Sequence, residues 1–353
     1  MTFSVTVQPG GFGFEAHPDE TLLAAALRQN VGLPYGCQEG ACGACKCKVT
    51  YGQVALEGHL DSALSADEAA QGYTLTCRAR AQGNVVLECP QATSSNLPPP
   101  RQMPVRVAAL ERLAPDVMRV QLQLPANQPT PWRAGQFMAF TLPDGSRRCY
   151  SMASAPPEES SSERMRHVDL HVRHVPGGQF TDRLFGGGLK VKDILRAQSP
   201  LGSFFLREDS AKPIVLLASG TGFAPIKAII EHMQRRAITR PATLYWGGRR
   251  PQDLYMHDWM QAQLAAMPNV RYVPVLSAPR PEDHWTGRIG HAHAAVLQDA
   301  PDLSGHQVYA CGAPVMVNAA RRDFTQAGLP EGEFFADAFT TAADAPAAWA
   351  QAA

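Results

Sequence analysis

The sequence predicts a multidomain protein of mixed α+β and α/β class: a small α+β unit, an antiparallel β-barrel and a parallel-sheet α/β domain, in that order. Three patterns support this prediction. A Gly-rich loop with three cysteines lies in the first unit, strand-like runs without long helices fill the middle, and strands alternate with helices in the last part. At 353 residues the chain has room for two or three domains.

The first unit, residues 1–90, opens on a hairpin signal. Pro9-Gly10-Gly11 separates two strand-like runs, and a run with one apolar helical face follows. Ser65 and Glu68 have the spacing of a capping box at the start of a short helix. The predicted elements are strands 3–7, 12–16 and 84–89, and a helix at 20–30.

Residues 91–104 contain three consecutive prolines, which predict a semi-rigid linker. The second unit, 105–208, shows alternating patterns that predict an antiparallel barrel, with a polar loop at 160–166. Its predicted strands are 105–110, 117–124, 136–142 and 168–175.

The third unit, 209–340, has the β-α-β rhythm of a parallel sheet. Its predicted strands are 213–218, 242–246, 270–276 and 307–310, and its predicted helices are 225–236, 256–266 and 315–327. The Ala-rich tail, 341–353, is expected to be disordered.

Composition excludes several functional classes. Lys and Arg together number 32 and so do Asp and Glu, so no basic excess points to nucleic acid or to a membrane surface. The N-terminus has neither a basic start nor an apolar run, so we expect no signal peptide, and no segment has the length of a membrane helix. Eight cysteines in a chain of this size do not form a secreted disulfide framework, which predicts a cytoplasmic protein.

Cys37, Cys42, Cys45 and Cys77 have the spacing C-x4-C-x2-C followed by a distant fourth cysteine. Plant-type 2Fe–2S clusters use this pattern. The alternative is a zinc site, but zinc fingers place their cysteines as two separated pairs. The glycines of the loop are expected to let backbone N–H groups point at the sulfurs. Cys47 is expected to be a buried core thiol on the following strand.

The run Arg148-Cys149-Tyr150-Ser151 ends a predicted barrel strand. The Arg can neutralise a pyrophosphate, the Tyr can pack on an isoalloxazine or its ribityl chain, and the Ser hydroxyl can bond flavin N5. The following Gly-rich turn, with Gly177, Gly178 and Thr181, suits a phosphate. His171 on the strand between them is a further flavin candidate, although core or surface packing is the favoured explanation.

A buried strand runs directly into Gly220, Thr221, Gly222 and, at the start of a helix, Pro225. A strand, a Gly-rich loop and a helix in succession can cradle a pyrophosphate, and Pro225 suits a first helical turn. Near the C-terminus Cys311 and Gly312 again end a strand and open a helix. Cys311 alone would usually be a core thiol.

Together these motifs resemble the ferredoxin–NAD(P)H reductase superfamily, and in particular the three-domain reductases that supply Rieske oxygenases and di-iron hydroxylases. Within that group the chain is similar to the reductases of CDP-6-deoxy-hexulose-3-dehydrase. The resemblance covers residues 1–340. It implies a plant-type ferredoxin (β-grasp) domain, an FAD-binding barrel and an NAD(P)H-binding domain.

The resemblance also implies the roles of individual residues. The cluster ligands are Cys37, Cys42, Cys45 and Cys77. The FAD residues are Arg148, Tyr150, Ser151, Gly177, Gly178 and Thr181, with Ser151 near N5. The NAD(P)H residues are Gly220, Thr221, Gly222, Pro225, Cys311 and Gly312, with Gly247 and Arg249 on the adenosine side. Either Phe335 or Phe339 covers the flavin.

The implied activity is an NADH-dependent electron-transfer reductase. Hydride passes from NAD(P)H to FAD, and single electrons then pass to the cluster and on to an oxygenase, hydroxylase or dehydrase partner; Ser151 and Cys311 tune the rate. Arg249 and Arg250 would suit NADPH and Asp253 would suit NADH, and we favour NADH. We expect a monomer. The alternatives are a redox sensor and a free flavin reductase, of which the second would need no cluster ligands.

Overall fold

The computed structural model describes residues 1–94, 99–126, 131–157 and 167–340. The loop predicted at 160–166 and the tail predicted at 341–353 lie outside these residues. The contacts divide the chain into two units. Unit 1 comprises Met1–Pro99, Gly202–Phe204 and Glu331–Ala353, and unit 2 comprises Pro100–Leu201 and Phe205–Pro330.

Unit 1 is built on a five-stranded mixed sheet. Its strands follow the order β2-β1-β8-β4-β6, in which only β1 and β8 run parallel. Two short pairs, β3 with β9 and β5 with β7, flank it. The strands are β1 (Phe3–Gln8), β2 (Phe12–Ala16), β3 (Val31–Gly32), β4 (Lys46–Tyr51), β5 (Val54–Leu56), β6 (Tyr73–Leu75), β7 (Ala79–Ala81), β8 (Val85–Glu88) and β9 (Thr93–Ser94).

The alternation of buried and more exposed side chains along β1 explains the core of unit 1. Val5 and Val7 on β1 are fully buried while their neighbours reach towards solvent, as a sheet with one covered face requires. Helix α1 (Leu22–Arg28) covers that face, and its N-terminus is capped by Thr21, whose hydroxyl accepts from Ala24 N–H. Helix α2 (Ala66–Ala70) begins with the predicted capping box of Ser65 and Glu68, which is confirmed.

Two later segments of the chain also belong to unit 1. Tyr35 N–H donates to Ser203 Oγ at 2.8 Å, and Gln91 Nε2 donates to Phe334 O at 2.7 Å. By its contacts the C-terminal strand β21 (Phe334–Ala338) falls in unit 1. Our assignment of these residues to the nucleotide domain stays a prediction.

The first half of unit 2 is the predicted antiparallel barrel. Its strands follow the order β13-β12-β15-β10-β11-β14, and a bridge between Met152 and Leu170 joins the two ends. The strands are β10 (Arg101–Ala114), β11 (Val117–Gln123), β12 (Phe137–Thr141), β13 (Arg147–Ser151), β14 (His167–Arg173) and β15 (Ile194–Leu201), with one helix, α3 (Gln179–Phe185).

Strand β10 is longer than the sequence predicts. It takes up residues 101–104, which we assigned to the linker, and it continues to Ala114 through two irregularities in its pairing with β11. Pro104 is tolerated in this strand although it has no N–H to donate, and its neighbour Met103 is buried in the barrel core.

The second half of unit 2 is a parallel α/β sheet. Its strands within unit 2 follow the order β19-β18-β17-β16-β20, and the Gly-rich loop follows β16, of which Ile214–Ala218 are buried. The strands are β16 (Ile214–Ser219), β17 (Ala242–Gly248), β18 (Val270–Leu276), β19 (Arg288–Ile289) and β20 (Gln307–Gly312). The helices are α4 (Phe223–Arg235), α5 (His257–Leu264), α6 (Ala292–Asp299) and α7 (Pro314–Gln326).

The predicted strands and helices of this half are confirmed to within two residues at most ends, while β19 and α6 add to them. Among the described residues, no helix combines the length and the apolar character needed to cross a membrane.

Candidate functional site

The cysteine loop of unit 1 surrounds its sulfurs with backbone donors. Cys37 Sγ accepts from Glu39 N–H at 3.3 Å and from Ala41 N–H at 3.4 Å, and Cys37 N–H donates to Cys42 Sγ at 3.4 Å. The hydrogen bond from Cys42, together with the N–H donors, lowers the pKa of Cys37 to about 6. The N–H donors therefore stabilise negative charge on the Cys37 sulfur, and a thiolate is the state that ligates iron. The neighbouring thiol and burial instead raise the pKa of Cys42 and of Cys45.

The four cysteines fall into two pairs. Cys37 lies with Cys42, and Cys45 Sγ lies 3.2 Å from Cys77 Sγ. Within the described ranges, no three His, Cys, Asp or Glu side chains converge as a single metal ion requires. A zinc ion needs its ligands at one centre, whereas a cluster of two irons needs two pairs. The residues present therefore fit a 2Fe–2S cluster.

Two glycines let the loop take this shape. Gly40 has φ +75°, and a Cβ there would lie 3.0 Å from both Arg78 Cγ and Gly58 O. Gly43 has φ +70°, and a Cβ there would lie 3.0 Å from Ala63 O. Both positions demand a left-handed backbone in a close-packed place, which only glycine supplies readily.

Cys47 stands apart from the ligands. It is 2% exposed on β4, and its thiol interacts with the equally buried Cys89. The prediction that it is a core thiol on the following strand is confirmed.

The flavin candidates of the barrel lie along β13. Arg148 and Tyr150 share its half-buried face, whereas Arg147 and Cys149 point to solvent. The Tyr150 ring packs on Phe180 with centroids 5.1 Å apart, and burial raises the pKa of its hydroxyl. Ser151 ends the strand and is 6% exposed. This strand end can offer a cation, an aromatic face and a hydroxyl to one ligand.

The Gly-rich turn after β14 is more closed than we expected. Gly177, with φ +82°, donates its N–H to Asp182 Oδ2 at 3.0 Å, and Gly178 N–H donates to Val175 O at 2.9 Å. Thr181 Oγ1 donates to Val175 O at 2.8 Å. The N–H groups that we expected to face a phosphate are therefore bound within the turn, and their role remains a prediction.

The loop after β16 forms the strand–loop–helix unit that the sequence predicts. Gly220, Thr221 and Gly222 form one 3-10 turn that leads into α4, with Pro225 in the first turn of that helix. Trp246 Nε1 donates to Gly220 O at 3.1 Å and so fixes the loop. The first N–H groups of the helix have no intrahelical acceptor, which suits an anionic ligand.

Cys311 and Gly312 press against this loop. A Cβ on Gly222 would lie 2.2 Å from Cys311 O, and a Cβ on Gly312 would lie 2.3 Å from Ser219 Oγ. Ser219 Oγ also accepts from Ala313 N–H at 2.9 Å. The structure thus brings the ends of β16 and β20 together, as predicted, with the Cys311 side chain fully buried.

Arg173 is a candidate that the sequence analysis missed. It ends β14, and its guanidinium carbon would lie 3.6 Å from a Cβ on Gly220. Its Nη1 faces Asp116 at 3.2 Å and Asp253 at 3.7 Å, but its buried Nε and Nη2 have no hydrogen-bond partner in the part of the chain that the structure describes. A buried donor pair beside a Gly-rich loop fits a phosphate. The available signal was its position two residues after His171, on the same strand face.

His171 lies behind the nucleotide loop. Its Nδ1 is 2.9 Å from Tyr255 Oη, while its buried Nε2 has no hydrogen-bond partner among the described residues. Burial, with smaller contributions from Lys227 and Arg119, holds the pKa of His171 well below its usual range. The ring is therefore neutral, and its orphan nitrogen can still meet a ligand.

The adenosine-side candidates follow β17. Gly247 lies against Ala292, and Arg249 has a side chain that is 78% exposed. Asp253 Oδ2 accepts from the N–H groups of Arg249 at 2.7 Å and Arg250 at 3.1 Å. Asp253 is thus a buried turn-forming residue, so our interpretation of it as a ribose partner loses its support.

The Arg250 side chain is also already paired. It makes a two-pronged ion pair with Asp283, with both N–O distances 2.6 Å.

Phe335 and Phe339 belong to unit 1. Phe335 is 6% exposed on β21, and Phe339 follows the strand. Their proposed contact with the flavin stays a prediction.

Three protein-family models match the chain. Residues 5–82 match the 2Fe-2S iron-sulfur cluster binding domain, residues 104–206 match the oxidoreductase FAD-binding domain, and residues 216–322 match the oxidoreductase NAD-binding domain.

Several relatives align with this chain over nearly their whole length. The chain is 36% identical to CDP-6-deoxy-L-threo-D-glycero-4-hexulose-3-dehydrase reductase of Yersinia pestis, over 96% of this chain and 99% of the relative. It is 32% identical to reductase component 2 of terephthalate 1,2-dioxygenase from Comamonas sp., over 97% and 98%. It is 33% identical to the reductase component of phenol 2-monooxygenase from a Pseudomonas strain, over 98% and 96%.

Solved structures agree. A cytochrome P450 reductase from Amycolatopsis superposes with a TM-score of 0.74 at 34% identity, covering 96% of this chain and 99% of that one. The ferredoxin reductase of carbazole 1,9a-dioxygenase shows the same fold with a TM-score of 0.66 at 24% identity, over 96% and 99%. The chain therefore belongs to the three-domain iron–sulfur flavoprotein reductases of the ferredoxin–NAD(P)H reductase superfamily, in which electrons pass from NAD(P)H through FAD to a 2Fe–2S cluster and on to an electron-accepting protein.

Proposed function

We propose that this chain is the NADH-dependent reductase component of an oxygenase, hydroxylase or dehydrase system. The observation that carries the proposal is the division of the four candidate ligand cysteines, Cys37, Cys42, Cys45 and Cys77, into two pairs. That arrangement suits a one-electron carrier, which a free flavin reductase does not need. A sensor would need an effector element, whereas the three family matches span most of the chain from residue 5 to residue 322.

The chain's own residues prepare each site. Backbone N–H groups around Cys37 stabilise thiolate ligands. Arg148, Tyr150 and Ser151 orient the flavin, and the loop Gly220–Gly222 with Arg173 neutralises the nucleotide phosphates. When bound, FAD supplies the conversion between paired and single electrons. The protein supplies alignment and exclusion of water.

The relatives support the proposed class of partner. Three that align over at least 96% of both chains are named as reductases of a dehydrase, of a dioxygenase and of a monooxygenase. Dehydrase reduction in deoxysugar synthesis is the second candidate, because the Yersinia reductase has the highest of these identities. We propose a monomeric reductase that meets either partner transiently.

NADH is favoured over NADPH by the charges after β17. A 2′-phosphate is bound by Arg or Lys near the ribose. Arg250 is already neutralised by Asp283, and Arg249 projects into solvent 3.8 Å from Asp253. Neither forms a dedicated phosphate site.

The role of Ser151 is tested by Ser151→Ala. The change should slow the reduction of bound FAD by NADH about 10-fold or more, because one oriented hydrogen bond near the reacting atom is lost. FAD content should stay near that of the native protein. Stopped-flow absorbance measures the rate, and an unchanged rate would remove Ser151 from the reaction.

The partner is tested by NADH consumption in the presence of purified acceptors. An oxygenase component and a dehydrase encoded near this gene are the natural pair to compare. The true partner should stimulate NADH oxidation at micromolar concentration, and the other should not. Stimulation by neither, with active cytochrome c reduction, would contradict both partner assignments while leaving the reductase class intact.

A further inference from the structure

A buried charged pair on helix α4 grips the strand end that bears the flavin candidates. Lys227 is 6% exposed, and its Nζ donates to Ala153 O at 3.0 Å. The same ammonium pairs with Glu231, one helical turn later, and lies 4.9 Å from the centroid of the Trp259 ring. Burying an ammonium group carries a large desolvation free energy, so a buried lysine at this position calls for a structural or functional explanation.

Glu231 and Arg235, on the following turns of α4, bind the same segment. Glu231 Oε2 accepts from Ala155 N–H at 3.0 Å, and Arg235 Nη1 donates to Ala155 O at 3.1 Å and Pro156 O at 3.0 Å. Three successive turns of α4 thus bind the backbone of residues 153–156. Each bond reaches main-chain atoms, so the grip fixes the position of this segment rather than recognising its side chains.

This contact joins the two candidate sites of unit 2. At its start, α4 carries the loop Gly220–Gly222, and Lys227 follows Pro225 by two residues. At the other end of the contact, Ala153 follows Ser151 by two residues. A shift of the helix along or away from the strand end would move the nucleotide loop relative to Ser151.

We propose that Lys227 and Glu231 are positioning residues that set the approach of the nucleotide-binding loop Gly220–Gly222 to the strand end that bears Ser151. The inference rests on the proposed roles of Ser151 and of the loop Gly220–Gly222. Rates of transfer between two held reactants fall steeply when their alignment changes by about 1 Å. A buried ion pair bonded to main-chain atoms holds such an alignment more tightly than apolar packing, which tolerates sliding.

The test compares three variants of the full-length protein carrying its cofactors. Lys227→Met removes the ammonium while keeping the length of the side chain, and Lys227→Arg keeps the charge and the donors. Arg271→Met is the matched control. Arg271 pairs with Asp299 inside the nucleotide half, and no role in either site is assigned to it.

Two measurements separate positioning from general stability. Stopped-flow reduction of bound FAD over a range of NADH concentrations gives a limiting rate and an apparent Kd. Hydrogen exchange of the backbone amides of residues 151–157 measures how firmly α4 holds this segment, without any turnover. Glu231→Met should speed exchange of the Ala155 amide because its acceptor is lost.

Lys227→Met should lower the limiting rate about 10- to 100-fold. The apparent Kd for NADH should change less than about threefold, since the loop itself is intact. FAD content and the flavin reduction potential should match the native protein. Lys227→Arg should recover most of the rate, and Arg271→Met should leave rate, Kd and exchange as they are.

A native limiting rate in Lys227→Met would overturn the inference. So would a loss of rate that follows loss of FAD or a rise in Kd, because the pair would then serve only folding or binding. If NADH fails to reduce the flavin of the native protein, the proposed function fails instead, and the two failures are therefore distinct.

Discussion

The candidate cluster site of unit 1 and the candidate nucleotide site of unit 2 are assembled in opposite ways. Three of the four candidate ligand cysteines come from one loop, and the fourth comes from the turn between β6 and β7. The candidate nucleotide residues lie on or directly after β14, β16, β17 and β20, and Arg173 on β14 belongs to no recognisable motif. A site formed by one loop can be recognised from the spacing of its residues. A site whose residues come from several strands can be recognised only when the topology is known.

The comparison is tested most severely at Cys45 and Cys47. Cys45→Ala should abolish the cluster and reduce NADH-driven cytochrome c reduction to near background, because a thiolate ligand is lost. Cys47→Ala, two residues later on the same chain, should keep both. Iron content and cytochrome c reduction measure the effect.

Equal loss in the two cysteine variants would mean that the loop tolerates no change in this region and that the ligand assignment is unsupported.

Arg173 tests the distributed site. Arg173→Met should raise the Kd for NADH about 10- to 100-fold, since a charge-assisted bond to phosphate is lost. FAD content should stay constant. Arg106→Met, an exposed arginine on β10 paired with Gln123, is the control. Flavin reduction at varied NADH gives the Kd, and an unchanged value would leave Arg173 as a purely structural ion-pair partner of Asp116 and Asp253.

How much the sequence could predict differs between residues in short motifs and residues brought together by the fold. Cys37, Cys42 and Cys45, the β13 triplet and the loop Gly220–Gly222 could be singled out as candidates because each is a short run with its own chemistry. Arg173 and Lys227 could not be singled out, because the role of each depends on which strand or helix its side chain contacts. Asp253 was misinterpreted for the same reason: only the fold shows that its carboxylate is used by the turn at Arg249 and Arg250.

The strand boundaries show the same limit. Residues 101–104 form strand in spite of Pro104 because β15 offers them an antiparallel partner. In the Phe334–Ala338 strand, Phe334 O accepts a hydrogen bond from the distant Gln91. Neither partner is visible from local sequence.

His171 predicts a pH dependence of stability in unit 2. Its pKa is lowered in the folded state from the usual 6.5, so the unfolded chain takes up a proton first as the pH falls. Its contribution is therefore present above pH 6.5 and is lost as the pH falls further, at up to about 1.4 kcal/mol per pH unit. The free energy of unfolding should be compared at pH 7.5 and about 5.5 in the native protein and in His171→Gln.

The variant should lose part of the acid sensitivity. Identical pH slopes would show that His171 does not stay neutral in the folded protein.

Asp283 predicts the smallest effect. Asp283→Asn should free the Arg250 guanidinium and raise kcat/KM for NADPH about two- to fivefold, in line with the modest strength of an accessible ion pair. The value for NADH should stay constant. Steady-state cytochrome c reduction with each nucleotide measures the ratio, and Glu282→Gln, which alters a longer contact of 3.6 Å to Arg250, is the control.

The direct test of electron transfer between the two units is an anaerobic NADH titration of the cofactor-loaded protein, followed by absorbance and electron paramagnetic resonance. Bleaching of the flavin band, followed by growth of the signal of a reduced 2Fe–2S cluster, is the expected result. Bleaching of the flavin while the cluster stays oxidised would contradict it, since the cysteine pairs would then not receive electrons from the site in unit 2.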